Sequence, residues 1–454
     1  MEPHIFKAND IRGIVAGPNV EFTVDDAALL GAAWVRELRL SGKSFVMGRD
    51  MRTLGPELSS AFRDAALAAG ANVIDIGLAS TDMLWFASGV HQMPGVQFTA
   101  SHNPSNYNGI KFCLAGALPI PADLLPRLAR AAENVVQSSK SLGEYREQDM
   151  LDAYADYLHS LVELSGLRHL RVVVDAGNGM GGYTTGPVLG RLNLEIIGLY
   201  LELDGSFPNH PPNPLVPENL VDAQNAVREH DADLGLVFDG DADRCFIIDE
   251  RGEVVDPSLV TALIAAQELT KHPGSGIVIN SITSRSVGEA VAAAGGKLFR
   301  SRVGHTYVKD LMASKNAVFG GEHSAHYYFR DFWGADTGML AALHVLSLRG
   351  RSHQPLSELV AGFDSYARSG EINFTVTDIP GCLAEARARF GNRGQIDTSD
   401  GLTIEAEDWW LNLRPSNTEP LLRLNVEARS ADDVAELTRQ VEQLLQPFER
   451  KGEN

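Results

Sequence analysis

The sequence predicts an α/β protein of four consecutive segments, the first three of similar design. Short β-branched or apolar runs alternate with Ala- and Leu-rich helical stretches, the pattern of strands joined by crossover helices. The series starts again twice, at "LRVVVDAG" (170–177) and at "GIVINSITS" (276–284). Boundary stretches lie at "VVQSSKSLGEYREQD" (135–149), near "DERGEVVDPS" (249–258) and near "YARSGEINF" (366–374). They divide the chain into 1–147, 148–252, 253–367 and a shorter 368–454.

In the first segment, "KSFVMG" (43–48) reads as a strand, followed by the helix "GPELSSAFRDAALAAG" (55–70). "NVIDIG" (72–77) and "GVQFTA" (95–100) are further strands. Ser101 thus falls just past a strand end, where open α/β sheets place their ligands. In the second, "LGLVF" and "CFIID" are strands flanking "DGDADR" (239–244). The last segment ends in a long helix, "SADDVAELTRQVEQLLQPFE" (430–449). Ser430 is its expected N-cap, with two acids in the first turn.

Composition narrows the function classes. The 454 residues suffice for about three domains of typical size, each with its own core. Hydrophobic residues at 44% and charged residues at 22% are a soluble globular balance. No apolar run reaches ~18 residues, so no membrane span is expected. The start, "MEPHIFKANDIRG", has no basic n-region and no apolar h-region, unlike a secretory signal. Cys113, Cys245 and Cys382 are odd in number and far apart, which argues against a disulfide framework and fits a reducing cytoplasm. A net charge of −20 repels nucleic acid and anionic lipid, so an anionic ligand would need a local cluster of Arg and Lys.

Four motifs carry chemistry. "TASHNPSNYNGIKF" (99–112) sets Ser101 beside His102 and ahead of Lys111, with no G-x-S-x-G elbow around it. In "DGDADR", Asp239, Asp241 and Asp243 repel one another unless a cation or an Arg neutralises them, and oxygen ligands suit Mg²⁺. Glu250 falls where an EF-hand loop ends, but Arg244 stands where that loop needs Gly, and strands flank it. A solvated acidic turn is the plain alternative. "GGEHSAHYYF" (320–329) packs Glu322, His323, Ser324 and His326. It suits a loop that reads hydroxyls, with a polar surface loop or an H-x-x-H metal site as alternatives. "RPSNTEP" (414–420) offers Arg414 as a fork for phosphate oxygens, with Ser416, Asn417 and Thr418 as donors, unless it is only a Pro-bounded turn.

"AGNGMGG" (176–182) satisfies G-x-G-x-x-G through Gly177, Gly179 and Gly182. It could be a nicotinamide site or a set of tight turns. "NDIRG" with Arg12 and "RVGHTYVK" with His305 and Lys309 could be ordinary turns or helix starts. The four chemical motifs fall one to each segment, as loops from four domains reaching into one cleft would. A serine nucleophile, a Mg²⁺ triad, a hydroxyl reader and a phosphate clamp together suggest phosphoryl transfer to and from a polyol.

"TASHNP", "DGDADR", "GEHSAH" and "RPSNTEP" resemble, in order and spacing, the signature loops of the α-D-phosphohexomutases, in particular the bacterial phosphomannomutase/phosphoglucomutase branch. The resemblance runs from "FKANDIRG" to the final segment. It implies three related mixed α/β domains plus a smaller C-terminal α+β domain around a central cleft. It also implies that Ser101 carries a phosphoryl group and joins Asp239, Asp241 and Asp243 in holding Mg²⁺. A hexose 1-phosphate of mannose or glucose would become the 6-phosphate through a 1,6-bisphosphate, which serves as intermediate and activator. By the same resemblance Glu322 and Ser324 meet sugar hydroxyls. Arg414, Ser416, Asn417 and Thr418 hold the non-reacting phosphate, and Arg244 and His305 lie beside the sugar. Arg12, His102, Lys111 and His326 surround the reacting hydroxyl, with His326 or a shifted Lys111 as base.

The chain departs from that pattern twice. Asn9 stands where many relatives have Tyr, and Arg285 is the nearest cation where some carry a lysine near Ile282. Phosphoglucosamine mutases typically show a clamp closer to Arg-x-Ser-Gly-Thr-Glu-Pro, so Asn417 favours the hexose branch. A phosphoserine-using, metal-dependent sugar phosphatase is the other alternative. Sugar phosphates are the expected partners of a cytoplasmic monomer or weak homodimer, with neither nucleic acid nor membrane.

Overall fold

The computed structural model describes residues 1–133, 141–416 and 421–449. Four sheets follow one another along the chain. The first has six strands in the order Asp10–Ile14, Tyr107–Cys113, Gly95–Phe98, Ser44–Arg49, Asn72–Leu78, Tyr145–Glu147. Ser44–Arg49 runs parallel to both its neighbours, while Tyr107–Cys113 is antiparallel to Gly95–Phe98. All four residues of Gly95–Phe98 are buried, as expected of a strand covered on both faces. One cover is the helix pair Val24–Leu38 and Gly55–Ala68. The first of these starts in a capping box, with Thr23 bonded to the Asp26 amide and Asp26 returning to the Thr23 amide. Helix Thr81–His91, almost wholly buried, packs against Ser44–Arg49 and Gly95–Phe98.

The second and third sheets repeat this plan with five strands each. Leu170–Asp175 is parallel to Leu194–Leu199 and Leu234–Phe238, and Cys245–Asp249 adds an antiparallel strand. Val254–Val255 extends that sheet past residue 252. Gly276–Asn280 is parallel to Lys297–Ser301 and Phe319–Gly321, and Tyr327–Phe329 is again antiparallel. The fourth sheet differs: every pairing in it is antiparallel, and it packs against helices Ile379–Phe390 and Ala431–Leu445. The latter has the expected cap, Ser430 Oγ accepting from the Asp433 amide. The architecture is therefore three mixed α/β units followed by an α+β unit.

Burial groups these units unevenly. One continuous apolar core spans the second and third units and takes in helix Thr81–His91 of the first. Buried Asp82 sits within this junction, accepting from Ser80 (2.5 Å), from Tyr154 of the second unit (2.6 Å) and from Thr337 of the third (2.6 Å). The fourth unit has its own separate core. Many of its links to the third unit are polar. Ser281 and the Val303 amide donate to Asp400, and the Arg285 guanidinium donates to the carbonyls of Ala406, Glu407 and Trp409. Arg285, a cation noted in the sequence, is thus engaged between units. No helix among the described residues is long and apolar enough to cross a membrane.

Candidate active site

Ser101 lies past the end of Gly95–Phe98, in a loop that turns back into Tyr107–Cys113. Its backbone is left-handed, φ 50°, an uncommon state for a residue with a side chain. Ala242 in the aspartate loop (φ 61°) and Ala325 in the loop between Phe319–Gly321 and Tyr327–Phe329 (φ 63°) share it. Each such residue costs of order 1–3 kcal/mol, which the surrounding contacts must offset. Buried Arg52 does so at the serine loop, donating to the carbonyls of Ser101, Asn103, Pro104 and Tyr107 at 2.7–2.9 Å. Arg12 adds a bond to Asn103 while paired with Asp10, both at 2.8 Å.

This loop meets the aspartate loop directly. Ser101 Oγ donates to Asp239 Oδ2 at 2.9 Å. Gly240 packs so closely that a Cβ there would stand 2.4 Å from the Ser101 carbonyl oxygen. Behind it, a Cβ on Gly179 would lie 2.6 Å from the Gly240 carbonyl, and one on Gly182 2.0 Å from that of Leu201. Two glycines of the "AGNGMGG" run therefore serve backbone packing under the aspartate loop. The Met180 amide at the start of the following helix donates to the Gly240 carbonyl.

Asp239, Asp241 and Asp243 are all buried, and one oxygen of each falls within a 4.8 Å cluster. The flanking strands hold them there, so they form neither an EF-hand nor a solvated turn. Asp241 Oδ1 and Asp243 Oδ1 are buried without a hydrogen-bond partner. Three buried carboxylates this close, two of them with an orphaned oxygen, are a donor set for a hard cation, so the cluster is able to hold a metal. Burial raises the Asp239 carboxyl to about 7 against the pull of Arg244, with Asp243 and Asp241 adding to the rise. Burial would also raise Asp241, but Lys111 outweighs it and holds that carboxyl far below its ordinary range. Lys111 Nζ lies 2.7 Å from Asp241 Oδ2 and 2.5 Å from Asp243 Oδ2.

The neighbours shift Lys111 in the opposite direction from the one a base requires. Burial favours the free amine, but Asp241 and Asp243 overcome it and keep the ammonium well above its usual range. His102 is half-buried, and its Nδ1 lies 3.2 Å from Ser101 Oγ and 2.5 Å from Arg244 Nη2. Burial, then Arg244 and Arg12, press it well below the ordinary histidine value, so the ring is neutral. Arg244 is itself buried, with Nε 2.9 Å from Asp239 Oδ2.

The third loop joins through a bridge between Arg244 and His326 backbones. His326 Nε2 comes within 3.6 Å of Asp243 and 4.0 Å of Asp336, and its Nδ1 within 3.0 Å of Ser324 Oγ. Asp243, His326 and Asp336 form a second tight group. Lys111 on Asp243 and Lys309 on Asp336 (2.7 Å) already meet its charge. Glu322 is buried, accepting from Tyr328 (2.5 Å) and Asn280 (3.0 Å). Half-buried His305 heads helix His305–Lys315 and is drawn down to about 4, by desolvation first and then by Lys309. Beside it, Thr306 donates to Asn9 at 2.6 Å, so Asn9 ties the first unit to the third.

Arg414 ends strand Trp409–Pro415 and is buried. It is near enough to His323 to rank next after desolvation among the causes that lower that ring to about 3. Ser416 is half-buried just beyond, while Asn417 and Thr418 lie outside the described residues. The structure thus joins Ser101, His102, Lys111, the three aspartates, Arg244 and His326 in one contact network, with Arg12 on the serine loop. Arg414 approaches from the fourth unit. Arg52, Thr81, Asn280, Tyr328 and Asp336 were not legible as site residues. Thr81, for one, donates to Asp241 Oδ2 at 2.6 Å and through its amide to the Asp241 carbonyl. Its only sequence signal is that it follows a strand end, as Ser101 does.

The comparisons with known proteins agree along the whole chain. Residues 3–138, 152–252 and 256–366 match the families described as phosphoglucomutase/phosphomannomutase alpha/beta/alpha domains I, II and III, and residues 371–444 match the C-terminal domain. The chain is 39% identical to a phosphomannomutase of Salmonella montevideo, covering 97% of this chain and 98% of that one. It is equally 39% identical to a protein of Xanthomonas campestris pv. campestris named phosphohexose mutases, with the same coverage. A crystal structure of a phosphoglucomutase/phosphomannomutase family protein from Burkholderia thailandensis is similar at a TM-score of 0.90, with 31% identity over 99% of both chains. With four domain families in order and a serine seated on a buried aspartate cluster, the chain belongs to the phosphoglucomutase/phosphomannomutase family and is a hexose phosphate mutase.

Proposed function

We propose that this chain interconverts the 1- and 6-phosphates of mannose and of glucose, with Ser101 as the phosphoryl carrier. The observation that carries this is the 2.9 Å bond from buried Ser101 Oγ to Asp239 inside the three-carboxylate cluster. Asp239, Asp241 and Asp243 would hold Mg²⁺ together with an oxygen of the phosphorylated serine. That ion would supply neutralisation of the charge on the transferring group. Primed by a hexose 1,6-bisphosphate, Ser101 gives its phosphoryl group to O6 of a hexose 1-phosphate. The P–Oγ bond breaks as the P–O6 bond forms, and the O6 proton passes to His326. Once protonated, His326 faces the carboxylates of Asp243 and Asp336. Lys111, held as an ammonium, donates rather than accepts. The bisphosphate then turns over within the site, and the second transfer reverses the first: the P–O1 bond breaks as the P–Oγ bond re-forms, and O1 leaves as a hydroxyl by taking the proton held on His326.

Arg12 and His102 stand around the reacting hydroxyl, while Arg244, His305, Glu322 and Ser324 meet the sugar. Arg414, Ser416, Asn417 and Thr418 take the non-reacting phosphate. The boundaries 1–147, 148–252, 253–367 and 368–454 belong to the same proposal, as does a cytoplasmic monomer or weak dimer. Three buried free cysteines favour a reducing compartment.

Sugar tolerance follows from the reaction itself. The ring binds in two orientations, and a reader that accepts both is poorly placed to police the C2 hydroxyl, where mannose and glucose differ. The test is coupled turnover of four 1-phosphates, of mannose, glucose, glucosamine and N-acetylglucosamine, with free phosphate monitored. Turnover of the first two with little phosphate released is expected. Rejection of either hexose, or phosphate release matching isomerisation, would count against the proposal.

A further inference from the structure

Arg414 and Arg423 stand directly opposite each other on the paired strands Trp409–Pro415 and Leu422–Ala428. Like charges in that position repel. Glu371, just before strand Ile372–Phe374, resolves the conflict by bridging them. Its Oε2 accepts from Arg414 Nη2 at 2.6 Å, and its Oε1 lies 3.0 Å from Arg423 Nη1. Arg414 is only 3% exposed, and its Nε is buried without a hydrogen-bond partner. Glu371 is the more accessible partner, its side chain 23% exposed.

We propose that Glu371 is a resident counter-ion of the phosphate clamp, which holds Arg414 between phosphates and yields it when one arrives. This rests on the proposed assignment of Arg414 to the substrate's non-reacting phosphate. The reaction sets an unusual demand on such a clamp: within each turnover it must release one phosphate of the bisphosphate and grip the other. A phosphate monoester carries close to two negative charges near neutral pH and would bind two facing guanidiniums tightly. Its departure would strand a buried guanidinium, which is costly. Glu371 offsets that cost by re-pairing Arg414, so it weakens the hold on phosphate and eases reorientation. A carboxylate that merely oriented Arg414 would have the opposite effect on removal: the guanidinium would wander and phosphate would bind less tightly.

The sign of one substitution separates the two roles. Mannose 1-phosphate is titrated calorimetrically into full-length Ser101→Ala protein with and without Glu371→Gln, so that no transfer occurs. The expected result is a Kd about fivefold lower with Glu371→Gln, as for loss of one competing ion pair. With Ser101 intact, kcat should fall together with KM, because release from the clamp slows. A Kd that is unchanged or raised, or a lowered Kd with undiminished kcat, overturns the proposal. Arg414→Ala in the Ser101→Ala background is the control for the clamp itself. If it leaves Kd unchanged, the assignment of Arg414 to phosphate fails, whatever Glu371→Gln does. Should Glu371→Gln not fold, Glu371→Asp keeps the charge but shortens the reach to Arg414, and a smaller fall in Kd is expected by the same logic.

Discussion

Ser101 and Arg414 are equally buried, each 3% exposed, but different partners hold them. Ser101 bonds to Asp239 in another unit, and its carbonyl takes a bond from Arg52. Arg414 is paired inside its own unit, with Glu371. The surroundings differ in the same way. The first unit keeps a core of its own around Trp34 and Phe62, but its helix Thr81–His91 joins the apolar core of the second and third units, and hydroxyls from all three converge on Asp82. The fourth has its own core and rests on Asp400, Arg285 and other polar contacts. On the proposed assignments, chemistry is thus assembled where units share a core, and phosphate binding in a unit that shares none. A mutase needs both, since the reacting atoms must be placed closely while the intermediate must turn over.

Four changes break or sharpen this contrast. The largest effect is expected from Ser101→Ala, which removes the proposed carrier. Turnover should fall by at least ~10³-fold, since no other hydroxyl or thiol among the described residues donates to Asp239, and peptide mapping of the native protein should place phosphate at Ser101. Near-native turnover would refute the assignment.

Asp241→Asn comes next. It removes a ligand charge and weakens the partners of Thr81 and Lys111. Turnover should drop by about 100-fold or more and the Mg²⁺ requirement should rise, with little loss in the unfolding midpoint. An unaltered Mg²⁺ dependence would mean that the cluster is structural only.

Arg414→Ala tests the unit that shares no core. Loss of a charge-assisted contact of roughly 2–3 kcal/mol raises KM by about 30- to 150-fold, equally for mannose 1-phosphate and glucose 1-phosphate, with kcat less affected. A switch in sugar preference would show that Arg414 reads the ring.

The smallest effect concerns the shared core and pH. Burial raises the Asp82 carboxyl to about 6, against the pull of its hydroxyl donors. An acid whose folded value lies above its unfolded one, about 3.9, contributes stability that is full at low pH and is lost as pH rises through 6. The wild-type protein should therefore lose on the order of 2 kcal/mol relative to Asp82→Asn between pH 4 and pH 7, read by urea unfolding at each pH. A constant difference would mean that Asp82 titrates at the same pH in the folded and the unfolded chain.

Local pattern carried much of the fold. Strands Ser44–Arg49, Asn72–Leu78, Leu234–Phe238 and Cys245–Asp249 and helix Gly55–Ala68 lie where apolar periodicity sets them. The Ser430 cap is legible because a cap acts three residues away. Ser101, the aspartate triad and Arg414 were legible as motifs, since chemistry of that kind needs those side chains in short loops. The supporting residues were not. Arg52 looks like any arginine after a strand, and only the folded chain brings four carbonyls of the serine loop around it. "AGNGMGG" shows the converse, a local pattern compatible with a dinucleotide whose use depends on the Gly240 and Leu201 backbones beside it.

Sequence by itself determined the alternation of strands and helices, the separation into four units and the short motifs from which the reacting groups are proposed, because each depends on residues close in the chain. Tertiary structure decided the charge state of Lys111, the neutrality of His102 and the pairing of Arg414 with Glu371. Those are set by burial and by charges 43 to 142 positions away in sequence. Lys111 meets Asp241 and Asp243 at 130 and 132, His102 meets Arg244 at 142, and Arg414 meets Glu371 at 43. Coulomb energy and desolvation depend on distance in space, which separation along the chain does not give.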